Sequence, residues 1–488
     1  MSTFSFEAKT KKGLLITIVA GVLLFALGLL TQGGKHDAHH EDGHGEAHKT
    51  EEVSKHSDKH AVTEVAAQHD IHAVSDSTVA HHDSTSTTSI VLAETNNYVY
   101  KDVSAEIDEE LQLLGDRSHY AHHKVGTLKD KIVTNLYAVV LFFLYIGLAA
   151  MFVLAATTLA LGGWQIQMQK IFLAIASTIP ISILIMVALF ATNMHTIFEW
   201  SHADLYDPLS PHYDALLASK HDYLNIKGFW IRSIIFFSIS LGLLYFWWTN
   251  LNSMDVQPSI KTYNVSRGIA GATILLVAMG VNPFGTWDWA MSIQPHWYST
   301  LYAWYLMASG AVSMFSLTML LIIFLKSKGN LPGVNENHRH DIGKFMFAIS
   351  VFWTYLFFSQ FMLQWYANIP EETMYFDKRE AGYFILFWGT FVLCFLVPFF
   401  TLMKRASKRS IVATSVMAFV IILAHYFDFF LVVVPEVVPE GGFGFLGIGF
   451  LVALAGVYMF WIFSSLTKFK DLESSTHPLY KESLKHQI

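Results

Sequence analysis

The sequence predicts an all-α polytopic membrane protein with about ten transmembrane helices, including two four-helix bundles. Hydrophobic residues make up 53% of the 488 residues, aromatic residues make up 15%, and the mean hydropathy is +0.39. Apolar runs of about 18 residues or more, long enough to cross a bilayer as a helix, recur along the chain. This composition is not that of a soluble globular protein.

Ten segments are predicted to span the membrane, and they divide the chain into six regions. Lys11 and Lys12 precede the first span, as they would precede a secretory signal, but its length and the absence of an A-x-A pattern after it favour a retained anchor. The spans are residues 13–30, 132–161, 168–194, 228–249, 266–281, 298–325, 342–365, 381–403, 411–434 and 443–466. The regions are an anchor (1–30), a His-rich segment (31–130), a first bundle (131–284), a second bundle (297–434), a last span (443–466) and a tail (467–488).

Basic residues in the short loops predict the orientation. With the N-terminus inside, 18 Lys and Arg residues lie on the inner face and five lie in the short outer loops. Since such residues accumulate on the cytoplasmic side, both termini are expected to be cytoplasmic, in a bacterial inner membrane. The segment that joins the first two spans is then periplasmic.

That segment is rich in histidine, with eleven between His36 and His82. It is too polar to bury a core alone, so it is expected to be partly disordered or bound to a partner. The irregular spacing of the histidines favours a solvated linker over a specific metal site.

The single cysteine, Cys394, limits the redox chemistry of the chain. It excludes an intrachain disulfide, a CxxCH haem attachment and a Cys-ligated cluster or zinc site. A b-type haem needs two facing histidines, and only His425 lies clearly within a span. We therefore expect no cofactor or metal held by this chain.

Three ionisable side chains follow the third span. If its helix continues, His195, Glu199 and His202 fall at i, i+4 and i+7 and share one face. A lipid-facing charge costs roughly 2.5 to 3.5 kcal/mol near the bilayer centre, so this face is expected to look into protein or water. The stripe is a candidate for handling protons.

Other polar groups lie towards the same predicted face. His425 and Asp428 share a face of the ninth span, where a structural pair and a proton relay are equally compatible with the spacing. Asp288 and His296 follow a predicted helix break at Pro283, and plain interfacial residues remain an alternative for them. A further group ends the seventh span and comprises Gln360, Gln364, Trp365, Glu371 and Glu372.

A weak internal repeat relates spans two to five to spans six to nine. In each unit the second helix leads into an outer segment rich in aromatic and polar residues, and the fourth helix is expected to end at a proline, Pro283 or Pro435. Pro180 and Pro398 lie inside spans and are expected to kink them, with the freed carbonyls bonded within the bundle.

Three segments resemble a known family. They are WDWAMSIQPHWYSTLYAWYLMASG (residues 287–310), FWTYLFFSQFMLQWYANIPEET (352–373) and ATNMHTIFEWSH (191–202). They are similar to the F subunit of bacterial alternative complex III, in the NrfD/PsrC-like family of membrane proteins. The resemblance covers roughly residues 132–470.

The resemblance implies a subunit without a redox cofactor of its own, in a quinol:cytochrome c oxidoreductase that oxidises menaquinol. Haem c and iron–sulfur clusters would lie on partners, namely a multihaem cytochrome, an iron–sulfur subunit, a paralogous NrfD-like subunit and a terminal cytochrome oxidase. The chain would be a non-catalytic or quinol-side subunit, which supports quinol oxidation and proton translocation.

Residue chemistry adds a site hypothesis to that resemblance. His195, Glu199, His202 and Asp288 would accept protons on the outer side, with His425 and Asp428 as a deeper relay and with His296 and Glu371 as further candidates. Two alternatives remain open at this point. One is a structural scaffold that binds lipid, and the other is a metal transporter that uses the His-rich segment as a collector.

Overall fold

The computed structural model describes residues 4–33, 126–256 and 258–486, except for the side chain of Glu371. These residues form helices and no strand. Ten of their helices are long and apolar enough to cross a membrane, which confirms the predicted fold class of a multi-pass membrane protein. They are α1 (Ala8–Thr31), α2 (Leu128–Leu159), α3 (Gln169–Ile197), α4 (Ile226–Val256), α5 (Ile260–Ile293), α6 (Tyr302–Ser327), α7 (Glu336–Ala367), α8 (Glu372–Leu402), α9 (Ile411–Val437) and α10 (Phe445–Leu466).

Short helices lie between the long ones or after them. They cover Gly163–Gln167, Glu199–Ser201, Ala203–Tyr206, Ala215–Ser219, Arg405–Arg409 and Tyr480–Leu484. The His-rich segment falls outside the described residues, so its predicted character stays a prediction.

Helices α2 and α6 form the centre of the molecule. Their most apolar stretches are 94% and 83% buried, whereas the other eight helices are more exposed. The two backbones meet closely, because a Cβ atom on Gly310 of α6 would lie 2.8 Å from the carbonyl oxygen of Tyr145 on α2. A small residue is what allows such an approach between membrane helices.

The remaining helices follow the two predicted groups of four. Helix α2 packs against α3 and α5, and α4 packs against α5. Helix α6 packs against α7 and α9, and α8 packs against α9. The first helix of each group therefore forms the interface between the two bundles, where α2 contacts both α6 and α9.

Helix α1 packs along α10, and glycines on both helices allow the close contact. A Cβ atom on Gly21 would lie 2.2 Å from the backbone nitrogen of Ala453, and one on Gly449 would lie 2.4 Å from that of Phe25. The backbones are in direct contact at these points. The first of the described helices therefore packs directly against the last long one.

The predicted helix break at Pro283 is wrong, and so is the expectation that α5 and α9 end at prolines. Residues Ile274–Val281 of α5 form a π-helix, and an α-helix continues from Asn282 to Trp289. Pro283 stands in the first turn of that helix, where its missing N–H is tolerated. Helix α9 continues past Pro435 to Val437.

Just before the two other prolines, where kinks are predicted, the helices depart from regular α-helical geometry. Helix α3 is interrupted at Ser177 and Thr178, just before Pro180, and the carbonyl oxygen of Ser177 accepts a hydrogen bond from the Trp461 indole at 2.7 Å. Before Pro398, the α8 helix contains a π-helical turn over Val392–Leu396.

Candidate functional site

A buried carboxylate, that of Asp428, links three helices of the second bundle. The hydroxyl group of Tyr305 on α6 donates to its Oδ1 atom, and the indole Nε1 of Trp353 on α7 donates to Oδ2 at 3.0 Å. Asp428 lies on α9 and is 2% exposed. Both oxygens of Asp428 therefore accept hydrogen bonds from neighbouring helices.

His425 lies one turn before Asp428 on α9, as the sequence spacing predicted. Its Nδ1 atom is 3.8 Å from Oδ2 of Asp428, which is too long for a hydrogen bond, and is 2.8 Å from the hydroxyl of Ser309. Its Nε2 atom is buried and has no hydrogen-bond partner among the described residues. The two side chains are neighbours, but each makes its hydrogen bonds to other helices.

A partly open cavity adjoins Asp428. It encloses about 430 Å³ of space, its mouth included. The cavity is narrow, so side chains would have to separate before a ring-sized molecule could enter. Its walls are mainly aromatic, with a few polar groups, and comprise Tyr302, Tyr305, Trp353, Phe357, Gln360, Tyr375, Phe376, Arg379, Phe387, Thr390, Phe391, Asp428, Leu431 and Val432.

Arg379 is the basic residue in the cavity wall. Its guanidinium group lies 3.3 Å from the centroid of the Tyr375 ring and donates to Glu436 at 2.8 Å. Lys378 also binds Glu436, at 3.1 Å. Arg379 and Glu436 are each 2% exposed in their side chains, so this is a buried ion pair.

The predicted stripe of His195, Glu199 and His202 is not a helical stripe. Asn193 departs from helical geometry with φ −136°, and the helix ends at Ile197, so Glu199 begins a separate short helix. The chain turn nevertheless brings the two imidazole rings to 5.1 Å between centroids. His202 Nε2 lies 3.0 Å from the His195 carbonyl oxygen, while Glu199 is exposed.

Asp288 belongs to a separate site in the first bundle. It is fully buried and binds the guanidinium group of Arg232 through both oxygens, at 2.7 and 3.0 Å. The guanidinium group also lies 3.9 Å from the centroid of the Tyr223 ring. Burial raises the pKa of the Tyr223 phenol above its ordinary value.

His296 contacts the loop that joins α3 to α4. Its Nε2 atom is 2.9 Å from the carboxylate of Asp214, which also caps the short helix Ala215–Ser219. Lys220 of the same loop donates to the carbonyl oxygen of Pro295 at 2.7 Å, and burial lowers the pKa of its amine. These contacts hold two outer loops together.

The polar side chains at the end of α7 face two different places, the cavity and a neighbouring loop. Gln360 lines the cavity, and the Gln364 amide accepts from the Trp297 indole and donates to the carbonyl oxygen of Glu372 at 3.0 Å. Trp365 is 71% exposed. The predicted role of Glu371 concerns a side chain outside the described structure.

Tyr305, Trp353 and Arg379 are site residues that sequence reasoning did not single out. In the sequence, the aromatic-rich segments that contain them cannot be distinguished from segments whose Trp and Tyr residues simply lie at the membrane surface. Within the described parts of the chain, no three His, Cys, Asp or Glu side chains are grouped closely enough to hold a metal ion.

Comparison of the sequence with models of known protein families and with curated proteins gives no match. These two comparisons therefore assign no function to the chain.

Proposed function

We propose that this chain is an integral subunit of a respiratory quinol:cytochrome c, or quinol:oxidase, electron-transfer complex. It would lie in a bacterial inner membrane with both termini cytoplasmic and would support menaquinol oxidation and proton transfer. Haem c and iron–sulfur clusters would be held by the multihaem, iron–sulfur, paralogous NrfD-like and terminal oxidase partners. The resemblance of three sequence segments to the F subunit of alternative complex III supplies this substrate class.

The observation that carries the proposal is that Asp428 lines an aromatic cavity and that His425 lies beside it on the same helix. Ionisable groups inside membrane spans are costly, and they commonly mark proton or substrate pathways. Asp428 lines the cavity, whereas the imidazole Nε2 atom of His425 has no hydrogen-bond partner among the described residues. The arrangement therefore offers two proton acceptors in succession, first Asp428 and then His425.

Oxidation of a quinol releases two electrons and two protons. The Asp428 carboxylate would take a proton from a ring hydroxyl, and His425 would be the next acceptor along α9. The faces of Trp353 and Phe357, which lie 5.4 Å apart between centroids, would bound the ring after the cavity widens. The electrons would pass to the redox centres of the partner subunits.

The other predicted groups have lesser parts in this proposal. His195, Glu199 and His202 would accept protons at the surface, where the structure leaves Glu199 exposed. Asp288 is neutralised by Arg232, so we assign it a structural part rather than a part in proton uptake.

The test is to replace Asp428 in the intact complex. Asp428→Asn keeps the size of the side chain but removes the base, and we expect menaquinol oxidation to fall by roughly 100-fold, in the range of a lost general base. Asp377→Asn is the matched control, because Asp377 is exposed on the same helix as Arg379. His425→Ala is expected to slow proton release at unchanged quinone binding.

A scaffold role is the competing function, and one observation favours it. Asp428 already accepts hydrogen bonds from Tyr305 and Trp353, as a purely structural carboxylate would. Full turnover in both Asp428→Asn and His425→Ala, with an assembled complex, would contradict the quinol proposal and leave the scaffold role.

A further inference from the structure

A positively charged pocket lies where α7 meets the link between α8 and α9. The link contains Lys404, Arg405, Lys408 and Arg409 within six residues, and Lys344 extends from α7 beside it. The nearby carboxylates are Asp341, which binds Lys344 at 2.6 Å, and Glu336, which is 3.6 Å from Arg409. With Arg405 left out of the count, four basic residues still stand against these two carboxylates, so the pocket is positively charged.

Contacts between the helices define the face of α7 that borders the pocket. Asn337 accepts a hydrogen bond from Arg409 at 3.3 Å. A Cβ atom on Gly343 would lie 3.3 Å from Cβ of Lys408. Since residues three or four positions apart share a helix face, His340 lies between these two contacts and faces the link.

His340 is the group in this pocket that lacks a partner. It is 4% exposed, and neither of its ring nitrogens makes a hydrogen bond within the described structure. A buried imidazole without partners costs free energy, which a ligand at this position would recover. The neighbouring side chains of Lys344 and Arg409 are 47% and 32% exposed, so their charged groups can meet a ligand from the surface.

We propose that this pocket binds the phosphate headgroup of an anionic phospholipid, through His340, Lys344 and Arg409. Basic pockets between membrane helices are suited to such headgroups. Phosphate oxygens accept hydrogen bonds from the guanidinium, ammonium and imidazole donors. Lys408 is not part of the binding set, because its amine is bonded to the carbonyl oxygens of Leu402 and Met403.

The surroundings favour a lipid over free phosphate. The two helix ends joined by the link expose large apolar side chains, which acyl chains could cover. These are Phe400 and Met403 at the end of α8 and Val412 and Val416 at the start of α9, all more than half exposed. A soluble anion would leave them uncovered.

The test is a lipid titration of the full-length protein, purified with its bound subunits and freed of lipid in detergent. Occupancy is measured by native mass spectrometry with phosphatidylglycerol, and phosphatidylcholine and inorganic phosphate serve as comparison ligands. We expect one tight phosphatidylglycerol site that Lys344→Gln/Arg409→Gln weakens by about tenfold or more. The control, Lys261→Gln/Arg267→Gln, removes two exposed basic residues from α5 and should leave binding unchanged.

His340→Phe is the second variant, because Arg409 also contacts Asn337 and its loss could disturb folding. It keeps an aromatic ring and all local charges but removes both nitrogens, and we expect several-fold weaker binding. Equal binding by His340→Phe and the native protein, or equal weakening by the control, would overturn the proposal. Competition by inorganic phosphate at the lipid's own affinity would overturn the lipid assignment.

Discussion

The guanidinium group of Arg232 holds both carboxylate oxygens of Asp288, joining the third and fourth helices of the first bundle. Arg379 and Glu436 make the corresponding ion pair between the third and fourth helices of the second bundle. In each bundle the carboxylate lies near the last turn of the fourth helix. The internal repeat, predicted from the positions of polar segments, therefore extends to paired charges.

The Arg232–Asp288 pair is expected to be essential to the first bundle. Arg232→Gln leaves a fully buried carboxylate without its counter-charge, which should destabilise the protein by about 3–5 kcal/mol. Arg232→Gln/Asp288→Asn removes both charges and should recover most of that loss. Unfolding in mixed detergent micelles, followed by tryptophan fluorescence, measures both. Equal destabilisation in the single and double variants would contradict this account.

The Trp353 indole is expected to stabilise the second bundle through its hydrogen bond to Asp428. Trp353→Phe keeps a ring stacked on Phe357 but removes the Nε1 donor, so we expect a loss of about 1–3 kcal/mol in unfolding free energy. Trp365→Phe is the control, because Trp365 is 71% exposed and should change stability by less than about 0.5 kcal/mol. A similar loss of unfolding free energy in both variants would show that the smaller ring, and not the lost hydrogen bond, causes the effect.

The sequence was sufficient to predict the spans, because the hydropathy of a segment depends only on the residues that the segment contains. It placed the end of the fifth span too early, at residue 281, since Asn282 and Asp288 look unfavourable in a membrane helix. The structure buries both, and Arg232 of α4 neutralises Asp288. A partner on another helix cannot be inferred from local hydropathy.

Site prediction had the same limit. The spacing of His425 and Asp428 predicted their shared face, but their hydrogen-bond partners, Ser309, Tyr305 and Trp353, lie 75 to 123 positions away. The His195 stripe failed for a local reason, because the backbone leaves helical geometry at Asn193 and the helix ends at Ile197. No proline or glycine marks that bend.

The C-terminal segment is expected to loosen as the pH falls. Burial lowers the pKa of His477 from 6.5 to about 4, and its Nδ1 atom accepts a hydrogen bond from the backbone N–H of Leu479 at 3.1 Å. Because the folded state binds a proton less readily than the unfolded state, the stabilisation is complete above pH 6.5 and is lost between pH 6.5 and 4. Burial alone would raise the pKa of Asp471, but hydrogen bonds from Ser475 and Glu473 hold it below its ordinary value of 3.8. The stabilisation from Asp471 is therefore present above pH 3.8 and is lost only as the pH falls below that value.

Hydrogen exchange of residues 471–486 measures this effect. Exchange should rise between pH 7 and pH 4.5 after correction for the intrinsic rate. In His477→Gln, which cannot gain a proton, the rise should be smaller than in the native protein. An identical pH profile in the two proteins would contradict the assignment to His477.

The contact between α1 and α10 is expected to depend on the absence of side chains at two glycines. Gly21→Ala/Gly449→Ala adds methyl groups that would lie 2.2 and 2.4 Å from backbone nitrogens of the facing helix, so the helices must separate. Cross-linking between cysteines placed at Phe25 and Phe450, whose rings are 4.7 Å apart, should then fall several-fold. Gly13→Ala is the control, because nothing lies within 4 Å of its added methyl group. Alanine favours helix over glycine by about 1 kcal/mol, so the substitutions should not weaken the helices themselves. Unchanged cross-linking in both variants would show that the glycines do not determine the spacing of the helices.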